Sequence, residues 1–151
     1  MSTELQIREV RPDDLPRLQE LYAHLHASDL LSAPDEAVAI LQQLLLYRGS
    51  AILVGAIGSA LVTSCTLVVV PNLTRGGTPY ALIENVVTHA DWRKRGFGSV
   101  ILNVAAQRAW DHGCYKVMLM TGSKNPATLG FYVSAGFEQT KTGFQMRRPP
   151  L

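Results

Sequence analysis

Cysteine is scarce in this sequence. Cys65 and Cys114 are the only two in 151 residues; they lie far apart, with no CxxC and no Cys/His cluster. That excludes a zinc site and a disulfide scaffold, and points to a reducing, cytoplasmic compartment. Net charge is equally sparse: Lys+Arg 14 against Asp+Glu 12 leaves +2. Such a balance is too small to draw a nucleic acid or an acidic membrane, so a bound anion must be held by a local site. There is no low-complexity tract and no internal repeat. The first ten residues carry Glu4, Arg8 and Glu9 in place of the apolar core of a signal peptide. What remains is 47% hydrophobic and 17% charged, too apolar for disorder and too short for a second core. The expectation is one domain over residues 1–151.

Charge is missing altogether between Arg48 and Arg75, a stretch long enough to meet the ~18–20 residues of a membrane span. Gly55 and Gly58 split it, however, and Ser59, Thr63, Ser64 and Thr66 dilute its hydrophobicity. Two buried strands, Ala51–Gly55 and Ser59–Val70, joined by a Gly-Ala-Ile-Gly turn, fit better. No membrane partner is expected.

Around that hairpin the order of elements is legible. Leu5–Val10 reads as a strand, and Arg11-Pro12-Asp13-Asp14 starts a helix bearing Leu15, Leu18, Tyr22 and Leu25 at helical spacing. A second helix begins near Pro34-Asp35-Glu36 and carries Val38, Leu41, Leu44 and Leu45. After the hairpin come a Gly76-Gly77 turn and a strand, Tyr80–Val87. A polar loop, His89 to Gly98, leads to a helix from Ser99 to Asp111 with Val100, Ile101, Val104, Ala105 and Ala109 as its apolar stripe. Tyr115–Thr121 reads as a strand, Asn125–Ala135 as a helix, and Phe137–Met146 as a closing strand or hairpin. The sum is a mixed α/β domain.

The stretch from Val86 to Gly98 carries the chemistry. It joins a strand to a helix, so its amides converge on a helix N-terminus with unpaired donors and about half a positive charge. Gly96 and Gly98 lack a Cβ, and Arg93, Lys94 and Arg95 add cations. A phosphate or pyrophosphate is the natural guest. The spacing Arg-x-x-Gly-x-Gly is neither GxxxxGK[ST] nor GxGxxG, which sets it apart from the common nucleotide loops.

With Arg93, Gly96 and Gly98 in these positions the sequence resembles the GNAT superfamily of N-acetyltransferases. The resemblance extends through Asn125-Pro126-Ala127-Thr128-Leu129-Gly130-Phe131-Tyr132 and Ala135-Gly136-Phe137, covering about residues 80 to 138. It implies a mostly antiparallel central sheet with one splayed parallel strand pair and about four flanking helices. It also implies acetyl-CoA as cosubstrate, with no metal. The segment Arg93, Lys94, Arg95, Gly96, Phe97, Gly98 and Ser99 would hold the diphosphate, and Asn85, Val86 and Val87 would offer main-chain contacts to the pantetheine arm. Asn125 would bond that arm, or cap its helix, or both.

Acyl transfer to an amine requires a held donor, an unprotonated acceptor and a protonated leaving thiol. Tyr132 matches the family position that protonates the sulfur; otherwise it is a core aromatic beside Phe131. Glu84 sits in the apolar run Ala81-Leu82-Ile83-Glu84-Asn85-Val86-Val87, where a carboxylate in a dry site suits a general base. Its alternative is an outward-facing or salt-bridged residue. Cys114 reads as a small buried hydrophobe, so direct transfer in a ternary complex is expected. His24, His26 and His89 have no metal spacing and receive no role.

Ile83-Glu84-Asn85-Val86-Val87, Gly113-Cys114-Tyr115-Lys116-Val117 and Lys124-Asn125 are similar to the branch that acetylates glucosamine 6-phosphate. Asn85 and Gly122-Ser123 stand where that branch has acidic residues. A small-molecule amine is the expected acceptor, with a protein amine as the alternative; a pocket from residues 24–46 and 73–80 would receive it, flanked by Arg48 and Arg75. A non-catalytic acyl-CoA-binding module would keep the loop without needing Glu84 or Tyr132. Pairing of the closing strand with a second copy would give a homodimer.

Overall fold

The computed structural model describes residues 3–150. Runs of β-branched and small apolar residues build a five-stranded sheet in the order β1-β2-β3-β4-β5. The strands are β1 (Gln6–Glu9), β2 (Ala51–Ile57), β3 (Ala60–Val70), β4 (Tyr80–Thr88) and β5 (Val117–Leu119). Neighbours from β1 to β4 are antiparallel, and β4 and β5 are parallel. Four α-helices lie among the described residues: α1 (Leu15–Tyr22), α2 (Pro34–Leu45), α3 (Phe97–Asp111) and α4 (Pro126–Ser134). The uncharged stretch forms β2 and β3, and no helix of the described residues is long and apolar enough to cross a membrane.

Because strand side chains alternate, the sheet buries a different set on each face. Ala51, Leu53, Cys65, Leu67, Val69, Ala81 and Ile83 meet Ile101, Leu102, Ala105 and Ala109 of α3, joined by Phe131, Tyr132 and Phe137 at the edge. Val54, Ala56, Leu61 and Val87 meet Leu15, Leu18 and Leu21 of α1 and Ala37 and Leu41 of α2. Tyr22 lies at the edge of this second cluster, where burial pushes its phenol above its ordinary range.

Several boundaries differ from the sequence reading. β2 runs on to Ile57, so the turn is Gly58-Ser59 with φ +58° at Gly58; Gly55 and Ala56 lie within the strand at a register shift. A Cβ on Gly55 would stand 2.6 Å from Thr63 Cγ2, so that glycine serves sheet packing and not the turn. Helix α3 starts at Phe97, and its buried stripe is Ile101, Leu102, Ala105 and Ala109, while Val100 and Val104 face outward. Helical geometry explains the shift: 101, 105 and 109 share a face from which 100 and 104 are rotated by about 100°. β5 is confined to three residues. Phe137–Met146 forms no strand, and Phe144 and Met146 are exposed. A closing strand needs an edge to pair with, and β5 supplies only the length of Val117–Leu119.

The link from β1 into α1 is tied by one carboxylate. Asp14 is 2% exposed and receives Arg8 Nη1 at 2.6 Å, Arg8 Nη2 at 3.0 Å, Arg17 Nη2 at 2.6 Å and the Arg11 amide at 2.8 Å. The hydrogen bonds from Arg8 outweigh burial and hold its carboxyl down at about 2. A carboxyl depressed in the folded state stabilises the fold above its unfolded value of 3.8 and loses that contribution as pH falls towards 2. Asp14→Asn is therefore expected to cost about 2 kcal/mol at neutral pH, with the deficit shrinking below about pH 4, as read by urea unfolding of both proteins across that range.

Candidate active site

The site begins where the sheet stops being a sheet. β4 and β5 pair through Ala81↔Val117, Leu82↔Met118 and Ile83↔Leu119, and there the ladder ends. β4 continues to Thr88, held along its other edge by β3 through Thr66↔Glu84, Ser64↔Val87 and Thr63↔Thr88. Between these pairs Cys65 alone stands opposite Asn85 and Val86, a bulge that places Asn85 at φ +53°. Asn85, Val86 and Val87 thus line an edge of β4 that has no strand beside it among the described residues.

That edge leads into the glycine-bearing loop. His89 caps a single 3-10 turn, Ala90–Trp92, its Nδ1 accepting the Asp91 amide at 3.1 Å. The chain then passes through φ +60° at Lys94 and φ +81° at Gly96, which directly precedes α3. This turn leaves the amides of Gly96, Phe97, Gly98 and Ser99 at the helix entrance without helical acceptors. The two glycines do different work. A Cβ on Gly96 would meet nothing within 4 Å, so its face is open. A Cβ on Gly98 would lie 2.9 Å from Phe131 Cζ, so the missing Cβ of Gly98 lets α4 seat against α3.

The three cations of the loop also diverge. Arg93 turns back, donating from Nε to the Thr88 carbonyl at 3.1 Å and from Nη2 to the His24 carbonyl at 3.2 Å. Arg95 lies over the Trp92 ring at 4.8 Å and donates to the Asp91 carbonyl at 3.3 Å. Lys94 is exposed.

Glu84 and Tyr132 are coupled through the charge of the carboxylate. Burial first, and then the Glu84 carboxylate, push the Tyr132 phenol above its ordinary range, so it stays protonated. Tyr132 is half-buried, with ring centroids 5.0 Å from Phe131 and 6.4 Å from Phe137. Glu84 is exposed and not in the dry site its apolar neighbours suggested. It pairs with Thr66 of β3 and lies one residue beyond Ile83, the last β4 residue paired with β5. Asn125 caps α4, its Oδ1 accepting the Ala127 amide at 3.0 Å. Burial pushes the Cys65 thiol up to about 12 and raises that of Cys114, so neither is a thiolate at neutral pH. Among the described residues no group of three or more His, Cys, Asp or Glu gathers as a metal site would need.

A cleft of about 380 Å³ lies beside the loop, lined by residues that include Arg17, Glu20, His24, Ser59 and His89. It opens beside the β2–β3 turn and away from residues 73–80, where Arg75 lies over the Tyr115 ring at 5.5 Å. His24 was silent in the sequence, since nothing local links it to a loop 66 residues away.

A model of the acetyltransferase (GNAT) family matches residues 14–137. The chain belongs to the GNAT family. It is 28% identical over 142 residues to a glucosamine 6-phosphate N-acetyltransferase of Trypanosoma brucei brucei, covering 89% of each chain. Among solved structures, a candidate acetyltransferase from Agrobacterium tumefaciens str. C58 superposes with a TM-score of 0.88 at 45% identity, covering 95% of this chain and 99% of that one. An acetyltransferase of Trypanosoma brucei superposes at 0.82 with 29% identity, covering 97% of this chain and 100% of that one. The fold of this GNAT chain, with its parallel β4–β5 pair at the end of an antiparallel sheet, is the fold of those proteins.

Positive φ at Gly96 with open space around it separates backbone strain from steric clash. Gly96→Ala is expected to fold and to lose about 1–2 kcal/mol of stability, read by urea unfolding, through the cost of a left-handed dihedral alone.

Proposed function

We propose that this protein transfers an acetyl group from acetyl-CoA to the primary amine of a small molecule, directly and within a ternary complex. One observation carries the reading: the bare edge of β4 from Glu84 to Thr88 runs straight into the open helix entrance at Gly96. A diphosphate fits that entrance, because amides converge there and no side-chain atom occupies the space beside Gly96. The local charge comes mainly from those amides and Lys94, since Arg93 braces the loop from behind. Bound there, acetyl-CoA supplies a thioester carbonyl as the acyl donor.

The residues then divide the work. Main-chain groups of Asn85, Val86 and Val87 hold the extended arm by adding to the free edge, as a further strand would. An amide of this segment polarises the carbonyl oxygen, a contribution of ~3–4 kcal/mol to the barrier for a single well-placed donor. Tyr132, kept protonated by burial and by Glu84, gives its proton to the departing sulfur. Glu84, exposed at the acceptor side of the gap, takes a proton from the incoming ammonium through water. Asn125 positions the start of α4 against the arm.

The Trypanosoma brucei brucei relative makes glucosamine 6-phosphate the first acceptor to try. The deciding experiment is thiol release from acetyl-CoA with a panel of amines: amino-sugar phosphates, aminoglycosides, aminoalkyl phosphonates and a lysine peptide. Turnover with a small amine is expected. Binding of acetyl-CoA with no release on any amine would make the chain an acyl-CoA-binding module instead, and release only with the peptide would move the acceptor to protein.

With an acceptor in hand, Tyr132→Phe is expected to lower kcat by about 100-fold while the acetyl-CoA Kd changes little, which pre-steady-state and binding measurements separate. Glu84→Gln is expected to depress kcat/KM most at low pH, with the gap closing as pH nears the amine's own pKa. A pH–rate profile parallel to that of the unmodified enzyme would remove Glu84 from the proton path.

A further inference from the structure

We infer that His24 is a positioning residue for the glycine-bearing loop, clasping it as a neutral imidazole. After α1 ends at Tyr22 the chain folds over itself, the His24 amide bonding the Leu21 carbonyl at 3.0 Å. Two of its atoms then reach the loop. Its ring Nδ1 accepts the Ala90 amide at 3.3 Å, and its carbonyl accepts Arg93 Nη2 at 3.2 Å. The same guanidinium donates to the Thr88 carbonyl, so the end of β4, the loop and the turn after α1 are stitched through one residue.

A second imidazole completes the clasp. His89 Nδ1 accepts the Asp91 amide, and its ring lies against that of His24 with centroids 3.9 Å apart. Each ring offers an acceptor at Nδ1 to a consecutive backbone amide. A proton on either nitrogen would face donor with donor, and two imidazolium rings in contact would repel. The surrounding charges are mixed. Arg93 adds positive charge, while the exposed Asp91 carboxylate, 3.9 Å from His89 Nδ1, opposes it weakly. Arg17 and Glu20 of α1 line the cleft on the other side, and Ser59 of the β2–β3 turn and Ala60 at the start of β3 contribute no charge. Burial first, then His89 and Arg93, push the His24 imidazole below its ordinary value of 6.5. A base depressed in this way favours the clasped state above 6.5 and withdraws that support as pH falls below it. The clasp lies immediately ahead of Lys94 and Gly96, so its release frees the turn that aims the helix-entrance amides.

The consequence for acetyl-CoA rests on the function proposed above; the consequence for the loop does not. The test therefore reads both. Amide-exchange protection of Ala90 and Asp91 is measured by NMR in the unliganded protein at roughly pH 5.5 and pH 8, alongside acetyl-CoA affinity by calorimetry. From the higher to the lower pH, protection at Ala90 is expected to fall by about tenfold and Kd to weaken by about fivefold, the scale of one hydrogen bond lost. His24→Ala should show the weakened values at both pH values. His24→Asn, whose Oδ1 can take the place of Nδ1 and does not titrate, should recover most of both quantities at the lower pH. Protection at Ala90 indifferent to pH and to His24→Ala would overturn the inference, as would a His24→Asn protein with the acid sensitivity of the unmodified one. Absence of acetyl-CoA binding at the higher pH, with the exchange pattern as expected, would instead overturn the function proposed for the loop and leave the clasp standing.

Discussion

Everything distinctive in this molecule depends on β4 having two unlike edges. Along one it is held by β3 almost to its end, with the Thr63 hydroxyl donating to the Val87 carbonyl at 2.9 Å as an extra tie. Along the other, among the described residues, it has a neighbouring strand only as far as Ile83. Backbone donors and acceptors must be satisfied by something, and a strand that loses its neighbour halfway presents them to water or to a guest. The two faces of the sheet make this arrangement stable. Ala81 and Ile83 are sealed against α3, and Val87 against the α1–α2 side, so the strand stays in place where its partner departs. The bulge at Asn85 changes which groups point into the opening without loosening β4 from β3.

The helix entrance at the far end of this edge is shaped by exclusion and not by attraction. Gly98 lets the Phe131 ring close against α3, fixing the two helices, and Gly96 supplies a left-handed dihedral on the open side. The arginine of the glycine motif bonds two main-chain carbonyls behind the loop. Its charge thereby becomes a structural resource, holding the amides that face outward. Oriented amides carry a positive potential that needs no side-chain ordering when an anion arrives, which suits a chain whose net charge is only +2. Tyr132 packs at the edge of the α3 core through Phe131 and Phe137, and also feels the carboxylate of Glu84.

Legibility followed the range of the interactions. Arg93, Gly96 and Gly98 announced the helix entrance because a strand-to-helix turn is a local event, and the cap at Asn125 was visible for the same reason. The order of strands and helices followed from alternating and helical apolar spacing. Where the reading went astray, a distant partner had decided the matter. Gly55 looked like part of a turn until Thr63 across the sheet claimed the space of its Cβ. Glu84 looked buried because its sequence neighbours are, yet it is exposed just past the point where β5 leaves β4. The strand expected over Phe137–Met146 did not form beside a β5 only three residues long.

The sequence by itself determined the class of fold, the position of the helix-entrance loop and the family, since each is written in residues a few positions apart. Tertiary structure alone decided how the edge of β4 is exposed, which glycine has open space beside it, and that His24 meets the loop. Those outcomes turn on contacts between segments far apart in the chain, such as Ala90 with His24 and Gly98 with Phe131, and no local propensity encodes the meeting of two distant surfaces.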